Sequence, residues 1–127
     1  MLNVRVEESR SFTKSVCLEG RLDHETVAAL DRELDAVLAS PVRALVFDLS
    51  GLEYTSSAGL RSLFRAQKSM RARGGKTLLL NPQPTVQKVL DIVKAVDLNE
   101  VFTSVAELDA YLDAMQKKVA EGETEES

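Results

Sequence analysis

The sequence of 127 residues has one cysteine, Cys17, and one histidine, His24, and these two scarcities exclude several kinds of site. A single cysteine cannot form an intrachain disulfide. A structural zinc site needs a cluster of Cys and His ligands, and a Ser-His-Asp triad would have to use His24. We therefore expect a fold that needs no disulfide, no metal ion and no other cofactor.

The chain also lacks long apolar runs and a strongly charged body. No stretch approaches the roughly 20 apolar residues that a membrane-spanning helix needs, and residues 1–8 show no signal-peptide pattern. The formal net charge of −4 is matched by four glutamates near the end of the chain, Glu121, Glu123, Glu125 and Glu126. Because no large basic field exists, we expect no direct binding to nucleic acid. We expect a cytoplasmic protein without membrane contact.

The composition is that of an ordinary globular domain. Hydrophobic residues make up 44% and charged residues 28% of the chain, which is enough for one packed core. No internal repeat or linker is visible. We assign residues 1–116 to a single domain and residues 117–127 to an acidic tail that we expect to be disordered.

The hydrophobic pattern predicts strands that alternate with helices. Residues 2–8 and 12–20 alternate between polar and apolar and should form an antiparallel hairpin. Continuous apolar runs predict buried strands at residues 42–50 and 76–81. Apolar residues at helical spacing predict four helices, near residues 24–39, 58–73, 84–96 and 105–119.

This order of elements predicts an α/β fold, because helical crossovers join parallel strands. We expect a mixed sheet of four or five strands with about four helices packed on it, the possible fifth strand being residues 100–104. We place the N-cap of the first helix at Asp23 or His24. The predicted apolar faces of the second and last helices consist of Leu60, Leu63, Phe64, Gln67 and Met70, and of Leu108, Tyr111, Leu112 and Met115.

Three consecutive hydroxyl residues, Thr55, Ser56 and Ser57, precede the small residues Ala58 and Gly59 at the start of the second helix. Functional loops gather at the carboxyl ends of parallel strands. The first N–H groups of a helix lack internal acceptors, so a serine there can cap the helix and a phosphoserine can be held there. The small residues should leave the backbone approachable from outside.

Enzymatic readings of these serines find little support. The nucleophile elbow G-x-S-x-G is not matched, because Thr55 stands two residues before Ser57. His24 also precedes the serine, which does not fit the order of the hydrolase triad. No phosphate-binding P-loop motif occurs. We therefore expect no enzymatic activity.

Three short motifs follow one another along the chain: "GRLD" at Gly20–Asp23, "DLS" at Asp48–Ser50 and "SSAGL" at Ser56–Leu60. Their order and spacing resemble those of the STAS domain of bacterial anti-sigma factor antagonists. The resemblance extends over about residues 2–115. It implies a protein that binds an anti-sigma factor serine kinase with a histidine-kinase-like, ATP-binding fold, and that thereby releases a sigma factor. It also implies that phosphorylation ends this binding and that a PP2C-type phosphatase restores it.

The resemblance further implies the residues of the switch. The phosphorylated serine of such proteins stands two residues before the glycine, which is Ser57 here; Ser56, where the family often has aspartate, is a rival acceptor. The implied partner-binding residues are Asp23, Thr55, Ser56, Ser57, Ala58, Gly59 and Arg61. Asp23 can alternatively serve as a helix cap, and Arg61 as part of a solvated basic face. We expect a monomer.

One alternative within the same family remains open. The chain can be a STAS interaction module of a stressosome-like scaffold or of a lipid-transport complex. Such modules usually lack the phosphorylatable serine or carry further domains. The serine at position 57 and the single domain favour the phosphorylation-controlled switch.

Overall fold

The first two strands form the predicted antiparallel hairpin. In the computed structural model, which describes residues 1–95 and 104–121, β1 (Leu2–Arg10) pairs with β2 (Thr13–Leu22). The turn lies at residues 11–12, two residues later than the Ser9-Arg10 pair at which the sequence pattern predicts it. Phe12 adopts a positive φ of 64° there. This conformation is uncommon for a residue with a side chain and is tolerated at a tight turn.

The remaining strands complete a mixed sheet in the order β1-β2-β3-β4. β2 and β3 are parallel, as are β3 and β4. The further elements are β3 (Ala44–Thr55), β4 (Lys76–Leu80), α1 (Val27–Leu38), α2 (Ser57–Ala72), α3 (Pro84–Ala95) and α4 (Val105–Ala120). The predicted α/β fold, with a four-stranded mixed sheet and four helices in the described residues, is confirmed. The possible strand at residues 100–104 falls almost wholly outside the described residues.

β3 is longer than predicted, and its extension carries the site. It continues through residues 51–55, which the sequence pattern had suggested were a loop. The register with β2 shifts twice along this part, so β3 contains extra, bulged residues. The Asp48 carboxylate accepts hydrogen bonds from the backbone N–H and the hydroxyl of Ser50 at the first bulge, and these bonds lower the pKa of Asp48. Bulges interrupt the strand alternation, which explains why the pattern concealed the extension.

The core fills the space between the sheet and the helices, and the buried faces of α2 and β4 differ from the predicted ones. On α2, Phe64 and Gln67 are exposed, whereas Ser62 and Ala66 join Leu60, Leu63 and Met70 in the interior. The predicted stripe is rotated from the observed one, because α2 also packs against α1, where the hydroxyl of Ser62 donates to Oδ1 of Asp31 at 2.7 Å. On β4, the predicted buried leucines are substantially exposed: Leu78, Leu79 and Leu80. In the described residues β4 has a neighbouring strand on one side, which explains this exposure.

α4 presents a narrower buried face than the predicted stripe. Leu112 is fully buried, Met115 is partly buried, and Tyr111 is 42% exposed, so its predicted inward position is wrong. The side chain of Leu108 lies outside the described set. Gln116, a polar residue outside the predicted stripe, is only 2% exposed and belongs to the buried face. No helix among the described residues is long and apolar enough to cross a membrane.

Candidate functional site

The ends of β2 and β3 bring the motifs of the sequence together. Leu22 and Thr55 are paired at the ends of these parallel strands, and the N–H of Ser56 donates to the carbonyl of Leu22 at 2.9 Å. Asp23, which follows Leu22 directly, therefore leaves the same edge of the sheet as the hydroxyl residues. The expected location of the site at the carboxyl ends of the parallel strands agrees with this arrangement.

Asp23 organises the turn before α1, although it is not the N-cap. Its Oδ1 accepts hydrogen bonds from the N–H groups of Glu25 and Thr26, at 3.0 and 3.1 Å. Thr26 itself is the N-cap residue, and its hydroxyl donates to the carbonyl of Arg21 at 2.8 Å. Desolvation raises the pKa of Asp23, but the hydrogen bonds to its carboxylate outweigh desolvation, and the net pKa is lowered. The predicted N-cap at Asp23 or His24 is thus displaced to Thr26.

The start of α2 is buried. Ser56 is the N-cap residue in extended conformation, yet its side chain makes no capping hydrogen bond. Thr55 is fully buried, while Ser56 and Ser57 are 4% and 5% exposed. Neither serine hydroxyl has a hydrogen-bond partner within residues 1–95 and 104–121. An unsatisfied buried hydroxyl is unfavourable by about 1–3 kcal/mol, so two of them side by side are unusual.

A carboxylate from α4 takes the capping role at α2. The backbone N–H of Ser57, the first residue of the helix, donates to Oδ1 of Asp109 at 2.9 Å. This N–H has no acceptor within its own helix, and the positive end of the helix dipole favours an anion. α2 is therefore capped by a residue far away in sequence, and not by a serine of its own loop.

Gln116, also from α4, forms hydrogen bonds with the backbone of the last residue of β3, Thr55. Its Oε1 accepts from the N–H of Thr55 at 2.9 Å, and its Nε2 donates to the carbonyls of Thr55 and Leu112 at 2.9 and 3.0 Å. The amide thus satisfies both backbone groups of Thr55 as a neighbouring strand would. Thr55 is consequently covered by the side chain of an α4 residue.

Gly59 is required by packing and does not open the backbone to the outside. A Cβ built at Gly59 would lie 2.5 Å from Oγ1 of Thr55 and 2.6 Å from Cγ of Leu22. The expectation of an approachable backbone is therefore wrong at this position, since the bare helix surface is pressed against the ends of β2 and β3. Ala58 is half-buried and lies nearer the surface.

The basic face of α2 is partly engaged by α1. Arg65 forms ion pairs with Asp31 at 2.9 Å and Asp35 at 3.3 Å, and Arg73 donates to carbonyls at the end of α1 and after it. Arg61 is exposed one turn after Ser57. Arg61 is thus a candidate for contact with a partner, whereas Arg65 and Arg73 hold the two helices together.

A groove of about 280 Å³ lies between the end of β3 and the C-terminal half of α4. Arg21, Tyr54, Thr85 and Lys117 are among its lining residues. The Arg21 guanidinium stacks over the Tyr54 ring at 4.0 Å, and burial raises the pKa of the Tyr54 hydroxyl. α4 therefore contacts the sheet through a few specific residues and does not seal against it.

The two serine hydroxyls have no activating partner in the described structure, since neither makes a hydrogen bond to a base. Among the described residues, no group of three or more His, Cys, Asp or Glu side chains could hold a metal ion.

Sequence reasoning missed Asp109 and Gln116, which together cover the hydroxyl residues. The two share a helix face with Leu112, at spacings of three and four residues. A glutamine on such a face is a weak signal in the sequence. Most polar residues on helices are exposed, and the sequence does not show that this one is buried. The contact of Asp109 with Ser57 spans 52 positions of the sequence, and that of Gln116 with Thr55 spans 61. A local sequence pattern cannot indicate contacts over such separations.

Comparison with known proteins identifies the class. A model of the STAS domain family matches residues 3–108, which is most of the chain. The chain belongs to the STAS domain family. The match ends before Asp109 and Gln116, the two residues that cover the site.

The chain is similar to proteins named as anti-sigma factor antagonists. The chain is 32% identical over 89 residues to the anti-sigma F factor antagonist of Lysinibacillus sphaericus, covering 69% of this chain and 76% of the relative. It is similar to the structure of an anti-sigma factor antagonist from Mycobacterium paratuberculosis, with 25% identity, a TM-score of 0.68, and coverage of 91% and 95% of the two chains. It is also similar to the phosphorylated form of the Bacillus cell fate determinant SpoIIAA, with 25% identity, a TM-score of 0.63, and coverage of 72% and 83%.

Proposed function

We propose that this protein is an anti-sigma factor antagonist that acts as a phosphorylation-controlled partner switch. In its unphosphorylated form it binds an anti-sigma factor that is also a serine kinase, and it releases that partner once Ser57 is phosphorylated. A PP2C-type phosphatase then returns it to the binding form. The proposed contact residues are Asp23, Thr55, Ser56, Ser57, Ala58, Gly59 and Arg61, of which Thr55, Ser56, Ser57 and Gly59 are buried in this structure.

The observation that carries this proposal is the position of Ser57 as the first residue of α2. A phosphoryl group at this residue lies beside helix N–H groups without internal acceptors, and the helix dipole favours its charge. The fold around Ser57 can therefore hold the modified residue without unfolding. The relative SpoIIAA, which exists in a phosphorylated form, supports the same reading.

The switch follows from charge. The Ser57 oxygen attacks the γ-phosphorus of ATP, the bond to the β-phosphate bridging oxygen breaks, the hydroxyl proton is lost, and ADP leaves. The product carries about −1.5 to −2 additional charge at neutral pH. A partner surface that is complementary to a neutral hydroxyl would bury this charge in the interface without water to solvate it. A hundredfold loss of affinity corresponds to about 2.7 kcal/mol.

Phosphopeptide mapping tests this function. After incubation with extract of the source cells and ATP, trypsin should release residues 44–61 as one peptide, which contains Ser50, Thr55, Ser56 and Ser57. We expect a single phosphate on Ser57. Ser57→Ala should abolish it, and the matched variant Ser56→Ala should retain it. A phosphate on Ser56 would transfer the acceptor role to the neighbouring serine.

Partner binding is the second measurement. Immobilised Ser57→Ala protein should retain the kinase in the presence of ATP, whereas the unmodified protein should release it and Ser57→Glu should bind it weakly. If Ser57→Glu bound the partner as tightly as the unmodified protein, the charge mechanism would be wrong.

A different role in the same family has one observation in its favour. Ser57 is 5% exposed, which is unusual for a kinase substrate and suits a STAS interaction module of a stressosome-like scaffold or a lipid-transport complex. No phosphate on residues 44–61, in an extract whose kinase is active on another substrate, would favour this second role.

The wider expectations form part of the proposal. We propose a cytoplasmic monomer without enzymatic activity of its own, acting through protein contacts and not through nucleic acid or membranes. Its functional domain comprises residues 1–116, followed by the acidic tail at residues 117–127. α4 extends into the first part of that tail, because the helix continues to Ala120.

A further inference from the structure

The proposed phosphorylation site is covered by α4 in this structure. Asp109 accepts the N–H of Ser57, and Gln116 occupies both backbone groups of Thr55. With these contacts in place the Ser57 hydroxyl is buried and has no partner in the described part of the chain. A kinase must bring the γ-phosphate of ATP into contact with that oxygen, so this arrangement cannot be the one that is phosphorylated.

A phosphoryl group on Ser57 would also compete with Asp109. Both are anions that gain from the same free N–H groups at the start of α2. Two negative groups that share one partly buried position repel each other. The docked state of α4 and the phosphorylated state of Ser57 therefore exclude each other, and linkage makes the exclusion reciprocal.

α4 packs mainly against α3, and its contacts with the start of α2 and the end of β3 are few. Among its described side chains, Leu112 is the apolar residue that is fully buried, and Gln116 is held by polar contacts. The groove between the C-terminal half of α4 and β3 leaves part of this boundary unpacked. Segments with few buried apolar contacts open at a low free energy, well below global unfolding.

We propose that α4 is an autoinhibitory helix, in which Asp109 and Gln116 hold a latch over Ser57. This inference rests on the proposed function and adds a regulatory step to it. In the closed state α4 blocks access of the kinase to Ser57 and covers Thr55 on the partner surface. In the open state Ser57 is accessible, and its phosphorylation prevents Asp109 from returning. The latch residues lie after residue 108, where the match to the family ends.

Thiol labelling measures the latch without any kinase. The natural thiol is replaced by Cys17→Ala, and Ser57→Cys places a reporter at the covered position. The rate of reaction with DTNB is then compared between this protein and the same protein carrying Asp109→Asn and Gln116→Ala. We expect labelling at least about tenfold faster with the latch residues replaced, because the hydrogen bonds from Asp109 to Ser57 and from Gln116 to Thr55 are lost.

A charge-matched variant on the same helix serves as the control. Asp113 is an exposed carboxylate one turn after Asp109 that lines the groove and makes no hydrogen bond to Ser57 or Thr55 in the described structure, so Asp113→Asn should leave the labelling rate unchanged. Melting curves establish that each variant is folded at the labelling temperature. Amide exchange of Ser57 in the protein with its natural serine gives an independent reading, since its N–H should exchange faster in Asp109→Asn than in Asp113→Asn.

The outcomes separate the latch from the switch. Faster labelling together with faster phosphorylation of the Asp109→Asn, Gln116→Ala protein with Ser57 intact supports the inference. Equal labelling in all variants overturns the latch, even if Ser57 is phosphorylated. Faster labelling with an unchanged phosphorylation rate overturns its control of the kinase. Faster labelling with no phosphorylation of any variant leaves an opening helix but overturns the proposed switch and hence its autoinhibition.

Discussion

α1 and α2 begin at the same edge of the sheet, but their first turns are secured in different ways. The turn before α1 is held by its own residues, since Asp23 accepts from Glu25 and Thr26. The start of α2 has no such local support, because the hydroxyls of Ser56 and Ser57 make no hydrogen bonds in the described structure. It is stabilised instead by direct hydrogen bonds to Asp109 and Gln116 of α4, which lie far away in the sequence.

The difference separates a permanent structure from a removable one. A cap formed by neighbouring residues persists as long as the chain is folded locally. A cap formed by another helix can leave without unfolding the helix that it covers. The unsupported start of α2 is therefore suited to a site that changes state, and the self-supported start of α1 is suited to a fixed border of that site.

The largest predicted effect concerns the place where the start of α2 packs against the end of β2, at Gly59 and Leu22. Gly59→Val should lower the free energy of unfolding by about 3 kcal/mol, because the new side chain meets Thr55 and Leu22 within 3 Å. Ala58→Val is the matched control on the half-buried neighbour and should lower it by about 0.5 kcal/mol, through helix propensity. Urea unfolding measures both. Equal losses would mean that close packing at Gly59 does not hold α2 in place.

A smaller effect tests whether α2 depends on a detachable helix. Gln116→Ala leaves both backbone groups of Thr55 without their partner and should lower the free energy of unfolding by about 2 kcal/mol. Asp109→Ala alone should lower it by about 1 kcal/mol. Together they should lower it by less than the sum, because once α4 has detached there is nothing further to lose.

Full additivity in this double-mutant cycle would contradict a helix that leaves as a unit. The control pair is Gln116→Ala with Glu25→Gln, since Glu25 is exposed in the turn before α1. Those two changes should add within about 0.5 kcal/mol.

The positions of both helix starts could be predicted from the sequence, but the contacts of α4 that stabilise the start of α2 could not. The motif at Gly20–Asp23 and the small residues after Ser57 are local patterns, and they located both starts to within a few residues. The alternation of elements likewise predicted the sheet and its helices. The extension of β3 was hidden by bulges, and the cover of α4 was hidden because Asp109 and Gln116 act on residues more than 50 positions earlier. Local periodicity carries no information about such contacts.

The pH dependence of Asp23 sharpens the comparison at the self-supported start. Asp23→Asn keeps an accepting oxygen but removes the charge that strengthens its hydrogen bonds, and should lower the free energy of unfolding by about 1 kcal/mol near neutral pH. The folded pKa of Asp23 is lowered from 3.8, so its contribution is complete above this value and is lost as the pH falls through the folded pKa. The difference between the two proteins should therefore be constant above about pH 5 and shrink below about pH 4. A difference that shrank on raising the pH instead would contradict the hydrogen-bonded carboxylate.

The smallest effect concerns the ion pairs that tie the two helices to each other. Arg65→Met removes contacts to Asp31 and Asp35, but the Arg65 side chain is 49% exposed. The free energy of unfolding should therefore fall by about 0.5 kcal/mol at low salt and by less at about 1 M salt, where the Debye length is about 3 Å. Lys68→Met, an exposed change on the same helix, should show a weaker dependence on salt.

When either change is added to the thiol reporter protein, labelling at position 57 should proceed at the same rate, because these ion pairs join α1 to α2 and leave α4 in place. Faster labelling with Arg65→Met would mean that the α1–α2 contact and the latch form one cooperative unit, and the distinction between a fixed and a removable support would then fail.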